Sequence, residues 1–143
     1  MGLFSLFKKD SSSNDKSYLK QLLKVAMADG HEDEIETKFI QKVAGQFNIT
    51  AEEVQEIRDN LHNITFSEPK TGKERFKMIF DLVWIMMIDG QIDVGEIHTC
   101  SRVAMKMGYE PEIIEQLVEA IKDNADEEQS PEETYERLLS SLV

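Results

Sequence analysis

The pattern Asp-Gly-x-x-Asp-x-x-Glu is written twice in this chain, as Asp29-Gly30-x-x-Asp33-x-x-Glu36 and as Asp89-Gly90-x-x-Asp93-x-x-Glu96, sixty positions apart. The same shift of sixty aligns Met27 with Met87, Leu22 with Leu82, Leu23 with Val83, Phe47 with Met107, and Val43-Ala44 with Val103-Ala104. Ile35 against Gly95 is the one clear mismatch. Repetition in register over that length is the mark of two copies of one supersecondary unit.

That unit is helical. Tyr18, Leu19, Leu22, Leu23 and Ala26 recur at three-and-four spacing up to Asp29-Gly30, which predicts a first helix. Ile35, Phe39, Ile40, Val43, Ala44 and Phe47 do the same before Asn48. Thr50-x-x-Glu53 is a capping box opening a third helix, with Val54, Ile57, Leu61 and Ile64 on one face. Pro69 ends the unit. In the second copy, Met78 to Ile88 is apolar nearly all round, as the central helix of a bundle is. Its methionines read as packing, because no cysteine or histidine shares a face with them. Pro111 takes the first helical position, matching Ala51, and Ser130-Pro131-Glu132-Glu133 caps a last helix.

No run alternates with period two for long enough to make a strand. The expected fold is all-α, a compact bundle of about seven to eight helices built from two pseudo-symmetric three-helix repeats. The repeats span about residues 16–66 and 74–125, with a C-terminal helix over about 131–142. Residues 1–15 read as an amphipathic arm and linker ahead of a single domain over 16–143.

Charge narrows the partners. Against 16 Lys and Arg stand 28 Asp and Glu, a net charge of −12. Such a field repels phosphate backbones and attracts cations, so nucleic acid is not an expected ligand. Apolar residues at 41% are too many for a disordered chain. The lone Cys100 allows no intramolecular disulfide and suits a reducing cytoplasm. The most apolar stretch is interrupted by Asp81 and falls short of the roughly 20 residues a membrane span needs. MGLFSLFKK has too short an apolar part for a signal peptide, and a cytoplasmic location is expected. Its Leu3, Phe4, Leu6 and Phe7 beside Lys8 and Lys9 either fold back on the domain or make a peripheral membrane contact.

The acidic turn has two readings. As structure, Gly30 and Gly90 stop one helix in a left-handed conformation, and Asp33 and Asp93 cap the next, with Glu36 and Glu96 completing capping boxes. Asp29 and Asp89 are left over. Each follows a strongly apolar helix, where exposed carbonyls already concentrate negative charge and a carboxylate is disfavoured by about 0.3–1 kcal/mol. Glu32 and Glu34 add to the first turn, and neither turn contains Lys or Arg. Carboxylates and carbonyls without a basic neighbour are what a hard cation takes, calcium ahead of magnesium or manganese. The turn also matches the second half of an EF-hand loop. The first half fails, because its first and third ligands would be Val25 and Met27, or Ile85 and Met87. An ordinary EF-hand is thereby excluded.

These twin turns, each after an apolar helix ending in Met27-Ala28 or Met87-Ile88, resemble the TerB-like family over about Tyr18 to Asn124. Its members are helical proteins associated with tellurite resistance and bacterial stress response, and a related module occurs in a membrane-anchored DnaJ-type co-chaperone. The resemblance implies a bundle of two pseudo-symmetric units whose acidic turns hold metal. By that analogy the ligands are Asp29, Asp33 and Glu36, then Asp89, Asp93 and Glu96, with His31 and Gln91 as optional neighbours. Val94 and Gly95 depart from it, leaving the second turn less acidic than Glu34-Ile35 leaves the first.

Signs of catalysis are missing. Cys100 lies two residues from His98 and so on another helix face. There is no Glu-x-x-His pair, no second histidine after His31-Glu32 and no glycine-rich phosphate loop. The expected function is a non-catalytic cytoplasmic module that binds divalent cations at both turns and serves a protein partner. The alternative is a helical protein–protein interaction module in which the turns are only caps.

Overall fold

The computed structural model describes residues 13–28, 30, 32–88, 90, 92–123 and 130–142. Seven α-helices carry most of them: α1 (Ser13–Ala26), α2 (Glu34–Gln46), α3 (Ala51–Asp59), α4 (Gly72–Met87), α5 (Val94–Lys106), α6 (Glu112–Asp123) and α7 (Pro131–Leu142). A 3-10 turn, Leu61–Asn63, follows α3. No strand occurs among the described residues, and none of their helices is long and apolar enough to cross a membrane. The fold is all-α, as expected.

Both halves run helix, acidic turn, helix, short turn, helix, and the bounds of α5 are those of α2 moved by sixty residues. Local chemistry sets these ends. Asp33, Thr50 and Asp93 cap α2, α3 and α5, each in a capping box with the glutamate three residues on. Ser130 and Glu133 exchange the same two bonds at α7, of 3.1 and 3.4 Å. Thr71 caps α4 through the Glu74 amide at 3.1 Å. At their far ends α2 and α5 close alike. Asn48 (φ +59°) and Gly108 (φ +87°) turn left-handed, and the Ile49 and Tyr109 amides return to the Ala44 and Ala104 carbonyls at 2.9 and 3.0 Å.

Three boundaries and one burial differ from expectation. α1 begins at Ser13, inside the stretch read as linker. α3 stops at Asp59, short of Leu61 and Ile64, because the Asn60 side chain donates to the Glu56 carbonyl at 2.8 Å and ends the ladder. Ile35 does not join the core face of α2; it is 46% exposed. Pro111 precedes α6, its carbonyl accepting from the Ile114 amide at 3.2 Å.

Within each half the first helix packs on the second and third, and the second on the third. α1 and α4, the first helices, make the most extensive contact of all. α4 is the centre, touching α1, α5, α6 and α7, and every residue from Met78 to Val83 is buried. Full burial of each large apolar side chain there stabilises the fold by about 1.5–3 kcal/mol. Asp81 sits among them. It accepts from the Tyr18 hydroxyl of α1 at 2.5 Å and from Lys77 Nζ at 2.6 and 2.8 Å, so the central helix pair is joined by a polar contact as well as by packing.

Candidate functional site

Each acidic turn is a left-handed glycine followed by a capped helix start. Gly30 and Gly90 have φ of +100° and +80°, and their amides donate to the Met27 and Met87 carbonyls at 3.0 Å. Glycine alone adopts this backbone without strain. The Asp33 amide then donates to Glu36 Oε1 at 2.9 Å, and the Asp93 amide to Glu96 Oε1 at 3.3 Å. Asp93 Oδ2 in turn accepts from the Gly95 amide at 3.0 Å. Glu36 and Glu96 are each only 3% exposed, held beneath the turn by these bonds. A capping bond engages one oxygen of a carboxylate that offers about four lone pairs, so capping and cation binding are compatible roles.

Asp33, Glu36, Asp93 and Glu96 hold the capping positions that the pattern predicted. Asp29 and Asp89, with His31 and Gln91, lie outside the described residues. Among the described residues, no three His, Cys, Asp or Glu side chains gather closely enough to hold a metal ion.

The two turns meet. A β-carbon placed on Gly95 would lie 3.7 Å from the Ala28 carbonyl oxygen and 2.9 Å from Asp93 Oδ2. The backbone of the first turn thus rests against the first turn of α5. The Ile35–Gly95 mismatch follows. Position 35 is exposed and takes a large side chain, whereas a side chain at 95 would push on the carboxylate that caps its own helix.

A second feature was hidden from sequence. Arg58, near the end of α3, forks onto Glu32 through Nε and Nη2 at 3.1 and 2.9 Å, and the Thr37 hydroxyl also donates to that carboxylate. The first turn has a basic partner after all, 26 residues away in the chain. Glu34 pairs with Lys38 at 3.5 Å on the surface. The extra acidity of the first turn is thus offset by two cations.

Elsewhere among the described residues, Asp81 lies at the centre of a buried polar cluster. Its partners Tyr18 and Lys77, with Phe47 and Tyr135, line a groove of about 290 Å³. Burial lifts the Asp81 carboxyl above its ordinary value, with Lys77 pulling the other way, and burial and then Asp81 lift the Tyr18 phenol well above its own. Its signal in the sequence was the charge interrupting an apolar run. Cys100 is buried, its thiol donating to the Leu82 carbonyl at 3.7 Å, and burial raises its pKa far out of reach of thiolate chemistry.

Residues 5–59 match the family model for tellurite resistance protein TerB, a match that ends where α3 ends. This part of the chain is similar to that family. Comparison with curated proteins and with solved structures gives no further match.

Proposed function

We propose that this TerB-like chain is a non-catalytic module that binds divalent cations, calcium first, at its two repeated acidic turns. Asp29, Asp33 and Glu36 would hold one ion, and Asp89, Asp93 and Glu96 the other. A bound cation would neutralise carboxylates crowded at the carbonyl ends of α1 and α4 and would stiffen the turns that join them to α2 and α5. The stiffened end is then the surface offered to a protein partner, in a role tied by family to tellurite resistance and stress response. What supports this reading is the recurrence, sixty residues apart, of the same left-handed glycine and buried capping glutamate. A cap alone needs neither the additional aspartate before each glycine nor the proximity of the two turns.

Trp84 makes the test direct. It lies five residues before Asp89 in the chain, and terbium substitutes for calcium. Excitation of Trp84 is expected to sensitise bound terbium, with displacement by calcium and loss in Asp89→Asn. If terbium gives no signal, calcium calorimetry is flat and chelator leaves the melting temperature unchanged, the turns are caps only. In that case Asp33→Ala and Asp93→Ala each cost on the order of 1 kcal/mol whether or not calcium is present.

A further inference from the structure

Four cations form a strip across two helices of this acidic chain. Lys20 Nζ donates to the Ile64 carbonyl, and Lys106 Nζ stands 5.3 Å from the centre of the Phe66 ring, so the segment around Phe66 lies between a lysine of α1 and a lysine of α5. Lys24 is one turn on from Lys20, and Arg102 one turn before Lys106, on helices that pack against each other. Each helix thus carries a like-charged pair at four-residue spacing, an arrangement that destabilises a helix. Partial burial, then Lys106, Lys20 and Arg102, hold the Lys24 ammonium below its ordinary value. Among the described residues no carboxylate pairs with any of the four. In a chain with 28 acidic residues to 16 basic, that repulsion is one the sequence had ample means to offset and did not. The strip is also apolar in part. Met105, between Arg102 and Lys106, is 50% exposed, and Phe66 is half-buried beneath Lys106.

We propose that this strip binds an acidic amphipathic helix of a partner protein, with carboxylates set on the four cations and apolar side chains on Met105 and Phe66. Charge complementarity selects the sign of the occupant, and the spacing selects its form. Glutamates one helical turn apart match Lys20 with Lys24 and Arg102 with Lys106. Two packed helices have axes about 8–10 Å apart, so the strip is about as wide as one further helix, roughly 10–12 Å across. Its margin is acidic, because Ile64, which receives Lys20, lines a hollow together with Glu53 and Glu56 of α3. A broad anionic surface such as a bilayer would meet those carboxylates along with the cations, whereas a single helix covers the strip alone. A small inorganic anion would leave Met105 in water. The acidic remainder of the chain is no obstacle to an acidic partner, because charges farther apart than about 8 Å are screened at physiological salt. None of the four cations belongs to either acidic turn, so the proposal stands apart from the cation reading.

The experiment is fluorescence anisotropy of a fluorescein-labelled peptide titrated with the full chain, in chelator so that metal has no bearing on it. The peptide has about 14 residues, roughly 21 Å as a helix, with Glu at every fourth position and a stripe of Leu beside it on an Ala background. Binding is expected, and is expected to weaken as salt rises. It is expected to be lost when Lys replaces Glu in the peptide and to weaken several-fold when Ala replaces Leu. In the chain, Arg102→Glu with Lys106→Glu is expected to weaken it roughly tenfold or more, while Lys38→Glu with Lys122→Glu, the same change of charge on other helices, leaves it unchanged. Circular dichroism checks that each variant is folded, and Arg102→Gln with Lys106→Gln replaces the reversed pair if it is not. The proposal is overturned if the peptide does not bind, if the Leu-free peptide binds as well, or if binding ignores the strip variants. Strip-dependent sedimentation with phosphatidylserine vesicles in place of peptide binding would give the face to a bilayer instead. Strip variants that change the chain's mass in solution without peptide would make it a contact between copies, and either result overturns the proposal.

Discussion

Asp81 is a carboxylate in the most apolar helix of the chain, and its energetics are set by two opposed effects. Burial favours its neutral form and Lys77 its charged form, and burial is the larger. The native carboxyl therefore holds its proton at a pH where the unfolded chain has lost it. Stability contributed this way is complete below the ordinary aspartate value and is lost as pH rises through the raised native value. Urea unfolding across the weakly acidic range should give a free energy that falls with pH in the wild type and falls less in Asp81→Asn. At neutral pH the variant should therefore compare more favourably with the wild type than it does in acid, because the amide carries no buried charge. A wild-type stability that rises through this range would mean the lysine outweighs burial. The sequence showed Asp81 only as a break in a run. Lys77, four residues away, was within reach of helix spacing, but Tyr18 is 63 residues distant and is supplied by the α1–α4 contact. Cys100 is buried and should resist thiol reagents until the chain is unfolded, as a timed labelling assay would show.

At the scale of elements, what was legible is what three or four consecutive residues decide. The capping boxes at Asp33, Thr50, Asp93 and Ser130, and the glycine stops, depend on bonds between near neighbours, and all stand where the pattern put them. The overrun of α3 and the placement of Ile35 failed because periodicity marks apolar residues without saying which the fold covers. Arg58 on Glu32 was illegible for another reason: it joins two elements. Both side chains are largely shielded, at 20% and 11% exposure, so Arg58→Ala should cost about 1–2 kcal/mol in urea unfolding. It also bears on the cation proposal. Removing Arg58 returns a net negative charge to the first turn only, so calcium affinity there should rise while the second turn is unaffected. Calorimetry on Arg58→Ala in an Asp89→Asn background isolates the first turn, and unchanged affinity would separate Glu32 from the cation altogether.

For the molecule as a whole, the repeat accounts for six helices and leaves α7 to be explained. α7 bridges the halves. Glu132 pairs with Lys42 of α2 at 2.9 Å, while the Tyr135 ring lies against Phe76 and Phe80 of α4, at centroid distances of 5.9 and 5.4 Å, with Lys77 5.6 Å from its centre. These two ties should differ in weight. The ion pair is about half exposed on both sides, so Glu132→Gln should change stability by less than about 1 kcal/mol. Tyr135 is buried, and Tyr135→Ala removes an aromatic ring from the core at a cost of about 3–5 kcal/mol. Trp84 reports on the same place, because its ring stacks on Phe80 at 5.6 Å. If α7 is an integral part of the bundle, unfolding of the wild type followed by Trp84 fluorescence and by circular dichroism gives one coincident transition. Tyr135→Ala should then shift both signals together. A fluorescence change that runs ahead of the helix signal would instead make α7 an appendage that leaves the two repeated units folded behind it.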